Sequence, residues 1–199
     1  MSLINAVTNL GDLTTILPFV STVLAVLILS QEWRAARWWA FAIGLAMGTA
    51  LIAKLGFIPC GRMAAWLNIN SPSGHTASAT AAYGGMAMLY AQSSNPPRNR
   101  AVAVLTAIAI ALLIGATRII LGAHTPEESV LGAAIGLASP LFLAIPKRLF
   151  ERPLLRHRGW LLLLPCLVLL ALLGRHAGTE GWITMAAIRL AHWFGACAA

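Results

Sequence analysis

The chain has 199 residues, of which 59% are apolar and only 10% charged, with a mean hydropathy of +0.79. A soluble globular domain carries about 25% charged residues, so this composition excludes one and points to a polytopic membrane protein, read as a single domain over residues 1–199. The formal net charge is +8, yet the basic residues are scattered between apolar runs, so no nucleic-acid partner is expected.

A helix needs about 20 apolar residues to cross a bilayer. Six runs approach or reach that length: about 14–30, 38–57, 74–92, 101–119, 127–145 and 159–174. The expected fold is therefore an all-α membrane bundle of about six transmembrane helices. The opening segment MSLINAVTNLGDLTT has no basic n-region, so a cleaved signal peptide is not expected. Arg34 and Arg37 follow the first run, and Arg98 and Arg100 follow the Pro96-Pro97 loop. Lys147, Arg148, Arg152, Arg156 and Arg158 lie in the fifth connection. That puts nine of the fourteen Lys and Arg residues on one side, which the positive-inside rule makes cytoplasmic. Lys54, Arg62, Arg118, Arg175 and Arg189 fall on the other side, and six crossings put both termini there.

Other features of the chain concern packing. Gly44-x-x-x-Gly48 and Gly132-x-x-x-Gly136 have the spacing of close helix contacts. Cys166 is mid-run and reads as a small buried apolar residue. Cys60 and Cys197 share the outer side, an arrangement that permits a disulfide. None of the three has metal-ligand spacing, and neither a metal nor a cofactor is expected. The tail 180–199 scatters Trp182, Arg189, His192 and Trp193 among apolar residues. It reads as an interfacial helix with its tryptophans at headgroup depth, or alternatively as a seventh crossing.

Two polar stretches sit where apolar runs end. Ser71-Pro72-Ser73-Gly74-His75 opens the third run. A serine cap, a proline in the first turn and a glycine that lets the backbone approach a ligand suit a helix start that binds phosphate. A capped helix with an interfacial histidine explains these five residues equally well. The second stretch, Arg118 to Glu128, is more informative. Thr125 and Pro126 mark the start of a helix, and His124 and Glu128 are four residues apart, one helical turn. A carboxylate on one ring nitrogen fixes the tautomer and leaves the other nucleophilic. Arg118 can hold phosphate oxygens in a forked geometry. Thr125-x-x-Glu128 is also a capping box. That role accounts for Glu128 but leaves Arg118 and His124 unexplained, and ionisable groups at membrane depth mark function.

P-S-G-H followed by R-x5-H-x3-acid resembles the type 2 phosphatidic acid phosphatase (PAP2) superfamily, whose core vanadium haloperoxidases share. The likeness covers about residues 54–145. It implies a metal-independent phosphatase acting on a lipid phosphate or diphosphate. His124 would be the nucleophile that becomes phosphohistidine, Glu128 would orient it, and His75 would be the general acid and then base. Lys54, Arg62, Arg118, Ser73 and Gly74 would bind the phosphate. The site would face the periplasm, or outer surface, from a bacterial inner membrane. The chain departs from the family pattern in three places. The first motif, K-x6-R-P, has its arginine one residue late at Arg62 with no proline after it. Thr117 replaces the serine before Arg118, and Glu128 replaces the usual Asp. A member that binds lipid phosphate without turnover is the alternative function. A small transporter ranks lower, because the charges cluster at run ends rather than inside runs.

Overall fold

Inside a bilayer every backbone polar group must find its partner within the protein, and a helix does this within one segment. The computed structural model follows that rule over the residues it describes: 3–58, 69–93, 100–146, 148–150, 158–172 and 179–194. Helix α1 (Leu3–Thr8) passes through a short 3-10 turn (Asn9–Gly11) into α2 (Leu13–Leu29), with a bend of 51° between them. Asp12 sits at this joint. Its Oδ1 accepts the Thr14 N–H at 2.8 Å and the Thr14 hydroxyl at 2.7 Å, which caps α2. After α3 (Trp33–Phe57), the third apolar run divides into α4 (Gly74–Ala79), one π turn (Thr80–Gly84) and α5 (Gly85–Gln92). Helices α6 (Arg100–Ile120), α7 (Pro126–Ala144), α8 (Arg158–Leu172) and α9 (Thr179–Phe194) complete the described elements.

Helix α7 lies at the centre, packed against α3, α4, α5 and α6. Small residues allow the close approach. An added Cβ on Gly136 would meet Thr80 Cβ at 2.7 Å, and one on Gly132 would collide with the Ser73 carbonyl oxygen. On α5's side, an added Cβ on Gly84 would stand 2.6 Å from Ala107 Cβ. The Gly132–Gly136 pair thus packs as its spacing predicts. Gly44 and Gly48 do not, because no described atom lies within 4 Å of a Cβ added at either. They face open space on α3, and Gly48 borders a cavity instead. Helix α2 joins the bundle through α3 and α8, and Trp39 Nε1–H donates to the Val20 carbonyl at 3.0 Å from a fully buried position.

The outer faces are apolar. Ile52, Val102, Leu105, Leu112, Val130 and Leu141 are all exposed, and this suits a hydrocarbon surrounding rather than water. Cys166 also faces outward, contrary to the buried position expected from its mid-run place. Helix α8 packs chiefly on α2, which leaves Leu163, Leu167 and the cysteine on the outside. Helices α2, α3, α4 with α5, α6, α7 and α8 fall on the six expected runs, and α1 and α9 lie outside them. Helices α3, α6 and α7 are long and apolar enough to cross a bilayer, and the bent α1–α2 pair makes a fourth candidate, whereas α8 and α9 are shorter. Cys60 and Cys197, the pair considered for a disulfide, lie outside the described residues.

Candidate active site

Two helix caps placed back to back hold His124. Helix α6 ends in a Schellman motif: Gly122 takes φ +64°, its N–H donates to the Ile119 carbonyl at 2.9 Å, and Ala123 N–H donates to the Arg118 carbonyl at 3.0 Å. That backbone conformation favours glycine. Helix α7 begins three residues later with Thr125 as its cap. The Thr125 hydroxyl accepts Glu128 N–H at 3.3 Å, and Glu128 Oε2 accepts Thr125 N–H at 3.2 Å. His124 is thus fixed from both sides.

The capping carboxylate also orients the histidine. Glu128 Oε2 lies 2.7 Å from His124 Nδ1. The other oxygen, Oε1, accepts Asn70 N–H at 2.7 Å and Ser71 N–H at 3.0 Å. With backbone donors on both oxygens, the carboxylate is an acceptor, so the proton of the close contact belongs to His124 Nδ1. In the neutral imidazole Nε2 then carries the lone pair, and it is turned away from Glu128. The sequence offered two roles for Glu128, cap or histidine partner, and the geometry has it in both.

Glu128 also ties together the two polar stretches. Besides the Asn70 and Ser71 contacts, its carbonyl accepts Ser73 N–H at 3.0 Å. Ser73 is completely buried. Its hydroxyl caps α4, standing 2.9 Å from Thr76 Oγ1 and accepting Thr76 N–H at 3.4 Å. Gly74 and His75 follow in the first turn. The space beside Gly74 is filled by Lys54, whose Cε and Nζ would lie 3.1 and 3.2 Å from an added Cβ. Lys54 is buried in the last turn of α3. Arg118 is buried in the last turn of α6, with one guanidinium nitrogen 3.4 Å from the Thr8 hydroxyl.

Lys54 stands where two cavities meet. One, of about 270 Å³, is walled by Leu13, Leu17, Met47 and Leu51 and reaches Lys54 and His75 at its polar end. The other, of about 310 Å³, is bounded by Lys54, Asn70, Ser71 and His124. The two histidines, Lys54 and Arg118 are therefore gathered at one end of the bundle. Arg100 marks the opposite end, donating to the Ala144 carbonyl at 3.3 Å and to Gln92 Oε1 at 2.7 Å. The 21 residues of α6 separate the two ends by about 31 Å at 1.5 Å per residue. Arg62, expected to bind phosphate, lies outside the described residues.

The sequence profile of the PAP2 superfamily matches residues 58–150, the stretch that holds both histidines and Glu128. A relative 30% identical over 172 residues, 85% of this chain and 81% of its own length, is an "Uncharacterized 22.5 kDa protein in cps region" of Klebsiella pneumoniae. The chain belongs to the PAP2 superfamily. No solved structure matches it. In this PAP2 member, parts of the site come from outside the matched residues. Lys54 precedes them. So do Thr8, which contacts Arg118, and Asp12, whose Oδ2 lies 3.9 Å from His75 Nε2. Ile183 and Thr184 of α9 each border one of the cavities. Sequence reading found Lys54 but missed Thr8, Asp12, Ile183 and Thr184. Asp12 carried a usable signal, because it is the one acidic residue before Glu32 and opens an apolar run. Thr8, Ile183 and Thr184 carried none.

Proposed function

We propose that this protein is an integral membrane phosphatase. It hydrolyses a lipid phosphate or diphosphate at the periplasmic face of a bacterial inner membrane, through a phosphohistidine. The observation that carries the reading is the 2.7 Å contact between His124 Nδ1 and a Glu128 carboxylate that backbone N–H groups already hold in place. This is the arrangement that readies Nε2 for attack.

In the proposed reaction Nε2 of His124 forms a bond to phosphorus while the bond to the leaving oxygen breaks. The bonding pair goes to that oxygen, which takes a proton from His75. Glu128 offsets the positive charge gained by His124. Water, deprotonated by His75, then attacks the phosphohistidine and releases inorganic phosphate. Lys54, Arg118, Arg62 and the turn at Ser73-Gly74 hold the equatorial oxygens, so positioning and charge stabilisation do most of the work. The lipid tail lodges in the apolar cavity beside Lys54 and His75. The chain crosses the membrane six times, with its basic connections in the cytoplasm.

The test is phosphate release by detergent-purified protein against a panel of lipid phosphates and diphosphates. Turnover is expected in the wild type, lost in His124→Ala and lowered about 10²- to 10⁴-fold in His75→Ala, with an acid-labile phosphoprotein trapped during turnover and missing in His124→Ala. A wild-type protein that binds the panel but releases no phosphate would sink the enzymatic reading and leave a binding protein.

A further inference from the structure

Resting on the phosphatase reading, we infer that Asp12 is a positioning residue for the general acid: its carboxylate faces the His75 ring and aims it for protonation of the leaving oxygen. Asp12 lies well before the residues that carry the family likeness, 58–150. Its carboxylate is buried, and its two oxygens face different tasks. Oδ1 caps α2 through Thr14, while Oδ2 lies 3.9 Å from His75 Nε2, with the two side chains only 8% and 12% exposed. That separation is too long for a hydrogen bond, so the carboxylate acts on the ring through its negative charge.

The joint that carries Asp12 is docked on α4 and the π turn that follows it, which keeps this spacing fixed. Ser78 Oγ–H donates to the Gly11 carbonyl at 2.8 Å, and Tyr83 O–H donates to the Leu10 carbonyl at 2.7 Å. Gly11 packs on His75 so closely that an added Cβ would stand 2.7 Å from the His75 carbonyl oxygen and 2.9 Å from its Cβ. The 51° bend between α1 and α2 puts Asp12 at the bundle's catalytic end instead of extending the helix past it.

Charge supplies the reason for a carboxylate here. Lys54 packs beside Gly74, one residue from His75, and Arg118 brings a second buried cation to the same end. Both oppose a third positive charge on the imidazole. A buried carboxylate beside the ring offsets those charges where the proton is transferred. In the first chemical step His124 Nε2 bonds to phosphorus, and the leaving oxygen departs with the bonding pair and takes one proton from His75. The imidazole left behind is neutral, and Asp12 takes no part in the proton transfer.

The experiment compares kcat/KM for two esters that differ in their need for an acid: a long-chain alkyl phosphate, and 4-nitrophenyl phosphate, whose leaving group departs without protonation. The full chain is used, as wild type, Asp12→Asn, His75→Ala and the double variant. Asn and Ser both serve as helix caps, so Asp12→Asn and Asp12→Ser remove the charge and keep the cap. Asp12→Asn is expected to lower kcat/KM about 10- to 100-fold for the alkyl ester and less than about 3-fold for the nitrophenyl ester. Asp12→Ser should match it, and Asp12→Asn should cost nothing further when His75 is already Ala. An equal fall on both esters, no fall on either, or additive losses in the double variant would overturn the inference. Wild-type protein inactive on both esters would instead overturn the phosphatase reading, and this role with it.

Discussion

Replacing Glu128 by Gln tests whether the histidine partner must be a carboxylate. Glu128 accepts from four donors: Asn70 N–H and Ser71 N–H on Oε1, and Thr125 N–H and His124 Nδ1–H on Oε2. Gln keeps the size but has one oxygen and one NH2. Facing Asn70 and Ser71, the NH2 would set donor against donor and release the loop before α4. Facing His124, it would turn Nδ1 into an acceptor and move the ring proton to Nε2, which ends its nucleophilicity. Each lost hydrogen bond to a charged group is worth about 1.5–3 kcal/mol. The two lost on either side, discounted for non-additivity, put the stability cost at about 3 kcal/mol. The wrong tautomer costs kcat about 10⁴-fold in the serine protease triad, and a loss of about 10³- to 10⁴-fold is expected here. Steady-state phosphate release and thermal unfolding in the same detergent measure both. Glu128→Gln with kcat within a factor of three of wild type would refute the reasoning.

Four other outcomes follow from the geometry. Gly122→Ala forces an alanine into φ +64° and should cost about 1 kcal/mol, with a kcat loss from displacement of His124; kinetics and unfolding read both. Gly132→Ala drives a methyl into the Ser73 carbonyl, and the forced separation of α4 from α7 should cost about 1–3 kcal/mol, visible as a lower Tm. Gly48→Leu fills part of the apolar cavity without touching any atom within 4 Å at its Cβ. It should raise KM for long-chain phosphates while leaving short water-soluble esters unchanged, and an equal effect on both would remove the tail from that cavity. Trp39→Phe loses the 3.0 Å hydrogen bond to Val20 and should lower stability by about 1 kcal/mol with kcat unaltered.

The helices were legible in the sequence because the apolar runs are long and because Ser73 and Thr125 carry their own start signals. Their pairing was less so. Gly132-x-x-x-Gly136 and Gly44-x-x-x-Gly48 look alike in sequence, but only the first meets a neighbouring backbone. Which face of a helix meets a partner depends on the whole bundle, and a four-residue spacing does not record it. The His124–Glu128 pair was readable because both residues lie within one turn. The partners of His75 and Arg118 were not, because Asp12 and Thr8 are 63 and 110 residues away in the chain. Non-local contacts of this kind have no local periodicity to announce them. Cys166 shows the converse error, since an apolar neighbourhood in sequence is no guide to burial when the solvent is lipid.

The bilayer explains why the site is made of helix ends. A phosphate needs donors and cations, and both are costly in the hydrocarbon region. The free backbone groups of a helix lie at its termini. Termini gathered at one end of the bundle therefore supply donors without exposing them to lipid. Here the last turns of α3 and α6 bring Lys54 and Arg118, while the first turns of α4 and α7 bring His75 and Glu128. Opposed chain directions let these four ends meet. A ligand held there has polar groups on one side and the cavity of Leu13, Leu17, Met47 and Leu51 on the other. A soluble phosphate ester would have no use for that second wall. A headgroup whose tail stays in the membrane would use both, so the apolar cavity, more than the histidines, argues for a lipid substrate.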